Sequence, residues 1–331
     1  MDQYKYLFGP VPSRRFGRSL GVDLTPYKTC TQDCVFCQLG RTTDLTVTRE
    51  EYVPINEVIG ELGGWLKKNG KADYITLSGS GEPTLHSCFH EALRFVREIS
   101  NIKTVLLTNG SLFSIPEVRS AASIAHIVKV SLSAYDQETH KWINRPHPTI
   151  QFKQFVDGLK MFRSQFTGEM WMEVFLIWGM NSTPSDVSRI ASIAEEIRPD
   201  RIHLNTAVRP PLEEFVEAVP KEQIISLCPL FCPTAEVIAD FNAERDIELK
   251  VNKETVLAML RRRPCTARQI AEVFGMHLNE VSKYLGNLKQ AGQIREEWKN
   301  GDIYYGGFLE PMKITVDMIK IMEERLLNKH E

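Results

Sequence analysis

The chain has 331 residues, 43% hydrophobic and 25% charged, with a formal net charge of −2 at pH 7. These proportions are ordinary for a soluble globular protein, and the length favours one large domain plus a smaller one. No apolar run reaches the ~18 residues of a membrane span. The N-terminus MDQYKYLFGP lacks the basic-then-apolar order of a signal peptide.

Seven cysteines are an odd number, in a chain too large to need disulfide staples, so a reducing cytoplasmic location is expected. From Lys250 onward there are 14 Lys+Arg against 11 Asp+Glu, a balance too small to mark a nucleic-acid surface by itself.

In chain order, the apolar segment 20–24 reads as a first strand. Ile55, Val58, Ile59, Leu62 and Leu66 fall near helical spacing over 54–68. A second strand, 74–78, runs straight into Gly79-Ser80-Gly81-Glu82. A helix is expected over 86–99, then a strand over 104–108 stopped by the turn pair Asn109-Gly110. A short helix over 116–122 precedes a fourth strand, 127–133. Phe152, Phe155, Leu159 and Phe162 mark a helix over 150–164, followed by a strand over 171–178. Thr183-Pro184 opens a helix over 184–197, and 201–206 is a sixth strand. Six alternations of strand and helix imply parallel strands with right-handed crossovers, in an open doubly wound sheet or an incomplete barrel.

Beyond Arg209-Pro210-Pro211 the pattern changes. An interrupted helix is expected over 213–232, with connecting structure over 233–250. A helix over 253–263 follows. Thr266-Ala267-Arg268-Gln269 reads as a capping box opening a second helix that Gly275 ends. Leu278, Val281, Leu285 and Leu288 mark a third. Strands at 293–297 and 303–305 flank Asn300-Gly301, a strong hairpin signal. Three helices followed by a hairpin resemble a winged helix-turn-helix domain. The expected domains are 1–240, 241–310 for the winged helix, and a final helix within 311–331.

The stretch that carries chemistry is Thr29-Cys30-Thr31-Gln32-Asp33-Cys34-Val35-Phe36-Cys37. Three thiolates at i, i+4 and i+7 can wrap one face of a cuboidal 4Fe-4S cluster. Full ligation takes four cysteines, so one iron is left for a ligand that is not the protein. Structural zinc would want four ligands, usually as two separated pairs.

This C-x3-C-x2-C pattern, with Phe36 before its last cysteine, resembles the signature of the radical SAM superfamily. Residues 9–21 (GPVPSRRFGRSLG) and 79–85 (GSGEPTL) are similar to a branch that includes the wyosine-base-forming tRNA enzymes. The similarity covers roughly residues 5–240. It favours a partial (β/α)6 TIM-like barrel, α/β in class, with a small C-terminal winged-helix domain.

The resemblance implies that Cys30, Cys34 and Cys37 hold the 4Fe-4S cluster and that S-adenosyl-L-methionine (SAM) chelates the open iron. Reductive SAM cleavage would yield a 5′-deoxyadenosyl radical for hydrogen abstraction from an RNA nucleotide, a protein or a small molecule. Phe36 would pack beside the adenine. The loop of Gly79, Ser80, Gly81 and Glu82 would meet the methionine amino group, glycines allowing close approach to the backbone; Glu82 alternatively only braces it. Ser133, ahead of Ser131, is the candidate for the SAM carboxylate and ribose. Asn109 is either a turn residue or faces the cofactor. Asn205 is either a cofactor contact or a satisfied rim residue.

Arg14, Arg15 and Arg18, and Arg145 elsewhere, are candidates for an acidic group or a solvated face. His140 and His147 are more readily structural than proton carriers. Cys228, Cys232, Cys265 and Cys88 hint at an auxiliary cluster only faintly. The chain lacks an evident flavodoxin-like extension, so an external electron donor such as flavodoxin or ferredoxin is expected. The winged helix would recruit nucleic acid, through Asn279, Ser282, Lys283, Asn287 and Lys299, or a protein; Glu280, Glu296 and Glu297 weigh against nucleic acid. Since every cofactor candidate precedes Arg209, that domain is expected to be dispensable for SAM cleavage. A non-catalytic iron–sulfur transcriptional sensor is the competing class; it would not need the loop at 79–82.

Overall fold

The computed structural model describes residues 4–13, 16–68, 70–207, 211–238, 253–274, 276, 278–299 and 302–308. The expectations for Arg14, Arg15, Arg209, Gly275, the Asn300-Gly301 turn and the final helix lie outside these residues, as do those for the side chains of Asn279 and Glu280.

Strands and helices alternate in the described chain. They run β1 (Leu7–Ser13), β2 (Gly17–Val22), β3 (Thr29–Cys30), β4 (Asp44–Leu45), α1 (Ile55–Lys67), β5 (Tyr74–Leu77), α2 (Phe89–Ile99), β6 (Lys103–Leu107), α3 (Pro116–Ala122) and β7 (Ile127–Ser131). Then come α4 (Gln137–Ile143), α5 (Phe152–Gln165), β8 (Glu169–Leu176), α6 (Pro184–Ile197), β9 (Arg201–Thr206), α7 (Lys221–Leu227) and β10 (Glu236–Val237).

The principal sheet has the order β1-β2-β5-β6-β7-β8-β9-β10. All neighbours are parallel except the β1–β2 pair. Backbone pairing ends at β1 and β10, so hydrogen bonds do not close this sheet on itself.

Alternation along the strands separates two environments. Leu20, Ile75, Leu106, Val128, Met172 and Leu204 pack into one core with α1, α2, α3, α5 and α6. Residues of the opposite parity include Val105, Ile127 and Trp171, which form a separate cluster with Phe16, the residue before β2. Phe16 stacks on Trp171 at 5.0 Å. Next along that face are Ser19, Thr76, Lys129, Glu173 and Asn205, with Ser19 bonded to Thr76 at 2.7 Å and Lys129 paired with Glu173. One face thus carries the main helix layer and the other is lined by polar groups, unlike a doubly wound sheet.

The six expected strands all form. Two differences concern short or edge elements. β1 carries Pro10 and Pro12, which remove ladder donors and are tolerated because β1 is the edge strand. In the expected helix over 213–232, only α7 and a single 3₁₀ turn at Cys228–Leu230 are helical.

The C-terminal unit comprises α8 (Lys253–Arg262), β11 (Cys265–Thr266), α9 (Ala267–Phe274), α10 (Leu278–Gln290), β12 (Ile294–Lys299) and β13 (Asp302–Gly307). The capping box forms: Thr266 Oγ1 accepts from Gln269 N, and Gln269 Oε1 accepts from Thr266 N, both at 3.1 Å. β12 and β13 pair antiparallel, Lys299 opposite Asp302. The unit has its own core of Val256, Leu260, Ile270, Phe274, Val281 and Leu288.

Candidate functional site

The cysteine loop follows β2 and lies at the C-terminal ends of the parallel strands. That is the end where α/β folds place their chemistry. Two sets of backbone bonds fix it. The first comes from the segment after α4: Asn144 O accepts from Asp33 N at 3.1 Å, Ile143 O accepts from Val35 N at 2.9 Å, and His147 N donates to Thr31 O at 2.9 Å. The second comes from the loop after β5: Lys28 N donates to Ser80 O at 2.6 Å, and Glu82 N donates to Thr29 O at 3.1 Å. The two motifs singled out in the sequence are therefore hydrogen-bonded to each other.

Each of the three sulfurs faces a nitrogen donor. Lys28 Nζ reaches Cys37 Sγ at 3.1 Å, Asn144 Nδ2 reaches Cys34 Sγ at 3.4 Å, and Asn109 Nδ2 lies 3.7 Å from Cys30 Sγ. Burial pushes the Cys30 thiol up to about 12, and the Glu82 carboxylate adds to the rise. Burial also raises Cys34, with the Cys30 and Cys37 sulfurs contributing. Burial works against the Lys28 ammonium, yet the three sulfurs outweigh it and raise its pKa. Three sulfurs within electrostatic reach of one another, with a buried cation beside them, are suited to thiolates stabilised by a positively charged metal centre. Among the described residues no three His, Cys, Asp or Glu side chains group closely enough to hold one metal ion.

The loop at 79–82 is shaped by close contacts within the protein. Gly79 has φ +147°, and a Cβ there would enter the Asp23 carboxylate. A Cβ at Gly81 would fall on the carbonyl oxygen of Thr29. The glycines thus admit the chain's own backbone and side chains this close, whatever a ligand also needs. Asp23 accepts from Ser80 N at 3.0 Å and from Ser80 Oγ at 2.6 Å. Glu82 is 2% exposed and braces two strand ends. Its Oε1 accepts from Thr84 N at 3.0 Å and from the hydroxyls of Thr84 and Thr108 at 2.6 Å; its Oε2 accepts from Asn109 N at 2.7 Å. Burial raises its pKa against those bonds. The bracing role is present, and Oε2 keeps the less crowded lone pairs.

Asn109 is a turn residue that also reaches the cysteine loop. Its Oδ1 accepts from Ser111 N at 2.9 Å, an Asx turn, while its Nδ2 donates to Thr31 Oγ1 at 2.8 Å and faces Cys30. Phe36 is half-buried and stacks on Phe175 at 4.1 Å. Ser133 is buried and accepts from Phe175 N at 3.1 Å, whereas Ser131 is half-buried. Asn205 donates to Glu173 Oε1 at 3.1 Å and accepts from Thr206 N at 3.0 Å, as a satisfied rim residue would.

His140 is buried, stacked on Phe155 at 5.3 Å and lowered to about 4 by burial, so it is a neutral packing residue. His147 bonds Thr149 Oγ1 at 2.8 Å. Arg145 pairs with Glu213, which also takes Arg41 at 2.8 Å. Arg18 pairs with Asp73 at 2.8 Å in a solvated setting. Cys265 is in the core of the C-terminal unit and Cys232 is exposed, so the remaining cysteines do not assemble into a second site.

Sequence reasoning missed Lys28, Asn144 and Asp23 as participants. Lys28 stands two residues before Cys30, a position from which a cation can fold back on the loop. Asn144 is 110 residues from Cys34 and carries no local signal.

A β/α sheet with a three-cysteine loop and a glycine loop joined at its C-terminal strand ends defines the class. The chain belongs to the Radical SAM superfamily, whose model matches residues 24–194. It is 31% identical over 291 residues to a UPF0026 protein of Helicobacter pylori, taking in 86% of this chain and 92% of that one. It is 36% identical over 305 residues to a Brachyspira hyodysenteriae protein named GTPase Obg. That alignment takes in 91% of this chain, which spans only 45% of the relative. In fold it is similar to a radical SAM methyltransferase from Sphaerobacter thermophilus: TM-score 0.52 and 14% identity over 67% of this chain and 65% of that one. Among the described residues no helix is long and apolar enough to cross a membrane.

Proposed function

We propose that this chain is a radical SAM enzyme in which Cys30, Cys34 and Cys37 hold a site-differentiated 4Fe-4S cluster and the loop at 79–82 orients SAM. The observation that carries the reading is the bonding of the two motifs at one strand edge, with a nitrogen donor on each sulfur. A reduced 4Fe-4S cluster carrying SAM supplies one-electron cleavage to methionine and a 5′-deoxyadenosyl radical that abstracts hydrogen.

The chain's residues do the rest. Lys28, Asn109 and Asn144 donate to the sulfurs and so tune the centre. Glu82 Oε2 and the backbone of loop 79–82 receive the methionine ammonium. Phe36, Ser133 and Asn205 bound the adenosine side. The polar face with Lys129 and Glu173 would offer a substrate hydrogen-bonding groups to meet. The sheet, with its helix layer on one face, is read as a partial (β/α)6 barrel, and the C-terminal unit as a winged helix that recruits a nucleic acid or protein. Kinship with the wyosine-forming branch, carried by residues 9–21 and 79–85, makes an RNA nucleotide the first substrate class to test. An external donor such as flavodoxin or ferredoxin has the exposed Tyr27 and Leu45 beside the cysteine loop to approach.

Anaerobic reconstitution should load about four irons per chain, lost in a Cys30/Cys34/Cys37 triple alanine variant. Dithionite and SAM should then yield 5′-deoxyadenosine. A loaded protein that never cleaves SAM would instead support the transcriptional-sensor reading.

A further inference from the structure

The C-terminal unit has its own core, yet one of its side chains reaches the candidate cofactor loop. α8 lies against β1. From its last residue, the Arg262 guanidinium stacks over the Phe8 ring at 3.3 Å from the centroid. The same group stands 3.6 Å from Asp23 Oδ2. Its Nη1 caps its own helix through Ala258 O at 3.3 Å, and its Nε is buried with no hydrogen-bond partner among the described residues. A guanidinium that forgoes a hydrogen bond to sit on an aromatic ring beside a carboxylate is held there by the ring and the charge.

Asp23 is the hinge of the arrangement. It directly follows β2 and receives both the amide and the hydroxyl of Ser80. The Ser80 carbonyl in turn accepts from Lys28 N at 2.6 Å, and Lys28 Nζ lies on Cys37. Burial favours the neutral acid at Asp23, and Arg262 is the cation that opposes this. A second residue of this unit, Arg295 of β12, lies within electrostatic reach of Tyr27 next to the cysteine loop. The C-terminal unit therefore abuts the site at two places.

We infer that Arg262 is a positioning residue for SAM binding: by pairing with Asp23 it keeps that carboxylate clamped on Ser80, so the C-terminal unit sets the conformation of loop 79–82. This rests on the reading of that loop as the SAM-orienting element. Removing one partner of a buried pair leaves the other charge uncompensated, whereas removing both is far milder. Arg262→Gln should therefore free the Ser80 amide and loosen the loop, and Asp23→Asn should relieve that defect, because an amide oxygen still accepts from Ser80 without a buried charge.

The test uses the full-length, cluster-loaded protein. SAM affinity is read by calorimetry, and exchange of the Ser80 amide by hydrogen–deuterium exchange. Arg262→Gln should weaken SAM at least tenfold and speed Ser80 exchange by a similar factor. Arg262→Lys should stay within threefold of wild type. The double variant Asp23→Asn/Arg262→Gln should lie within threefold of Asp23→Asn alone, the non-additivity expected of coupled residues. A lowered melting temperature with unchanged Ser80 exchange and SAM affinity would mean ordinary packing and would overturn the inference. If Arg262→Gln fails to fold, Arg262→Lys together with the Asp23→Asn cycle decides: full additivity overturns the coupling. If wild type binds no SAM while Ser80 exchange still responds to Arg262, the enzyme reading fails and the clamp stands.

Discussion

Gly81 illustrates how the residue scale of this site differs from its sequence reading. A glycine in a cofactor loop is expected to make room for the ligand, and on that view a side chain there weakens SAM binding and leaves the cluster alone. The structure puts the Thr29 carbonyl where a Cβ would sit, and Thr29 precedes Cys30. Gly81→Ala must therefore displace the Thr29 backbone, next to the proposed ligand Cys30, and break the Glu82 N to Thr29 O bond. Overpacking of this kind costs roughly 1–3 kcal/mol. The expected outcome is that reconstituted Gly81→Ala holds less than half the wild-type iron, measured colorimetrically; full iron with weakened SAM binding would restore the simpler view. The three cysteines were legible because all stand within one loop. Lys28, Asn144 and Asp23 were not, because what they do depends on which strand ends the fold brings together.

At the scale of elements, periodic segments were read to within a few residues, the short helix at Pro116–Ala122 included, while β1 and α4 were not. β1 was missed because Gly9, Pro10 and Pro12 break strand propensity, and only its edge position makes them tolerable. α4 is a short helix of about two turns, yet it had a local signal: Asp136 accepts from Thr139 N at 2.9 Å as an N-cap. That helix matters, since the chain after it straps the cysteine loop and its His140 is buried beneath Gln32. Burial lowers His140 to about 4, from an ordinary value of 6.5. The unfolded chain then binds the proton that the folded one refuses, so stability is complete above pH 6.5 and falls as pH drops toward 4. Unfolding free energy at pH 5 should be lower than at pH 7.5 by about 2 kcal/mol from this group. His140→Gln, neutral throughout, should flatten that part of a urea-denaturation pH profile. An unchanged slope would show that His140 takes up its proton in the folded state.

For the whole molecule, the sequence shows two units, and the structure gives each its own buried core. Position along the chain implies that the second is dispensable for SAM chemistry, because every cofactor candidate precedes Arg209. What position could not convey is that α8 packs back against β1 and places Arg262 on Phe8 and Asp23. The cluster and SAM functions should therefore respond differently to loss of the second unit. The bonds that strap the cysteine loop come from residues 143–147 and 80–82, all in the first unit. Deleting residues 239–331 should then leave iron loading near wild type. The Ser80 clamp loses its cation, so SAM affinity should drop at least tenfold and 5′-deoxyadenosine formation at limiting SAM should fall with it. Saturating SAM should recover much of the rate, because Arg262 acts on the loop's conformation and touches none of the sulfurs. The measurement is a SAM titration of dithionite-driven cleavage in the cluster-loaded truncation beside the full chain. An unchanged half-saturation point would mean that the units are independent and that the C-terminal one serves recruitment alone.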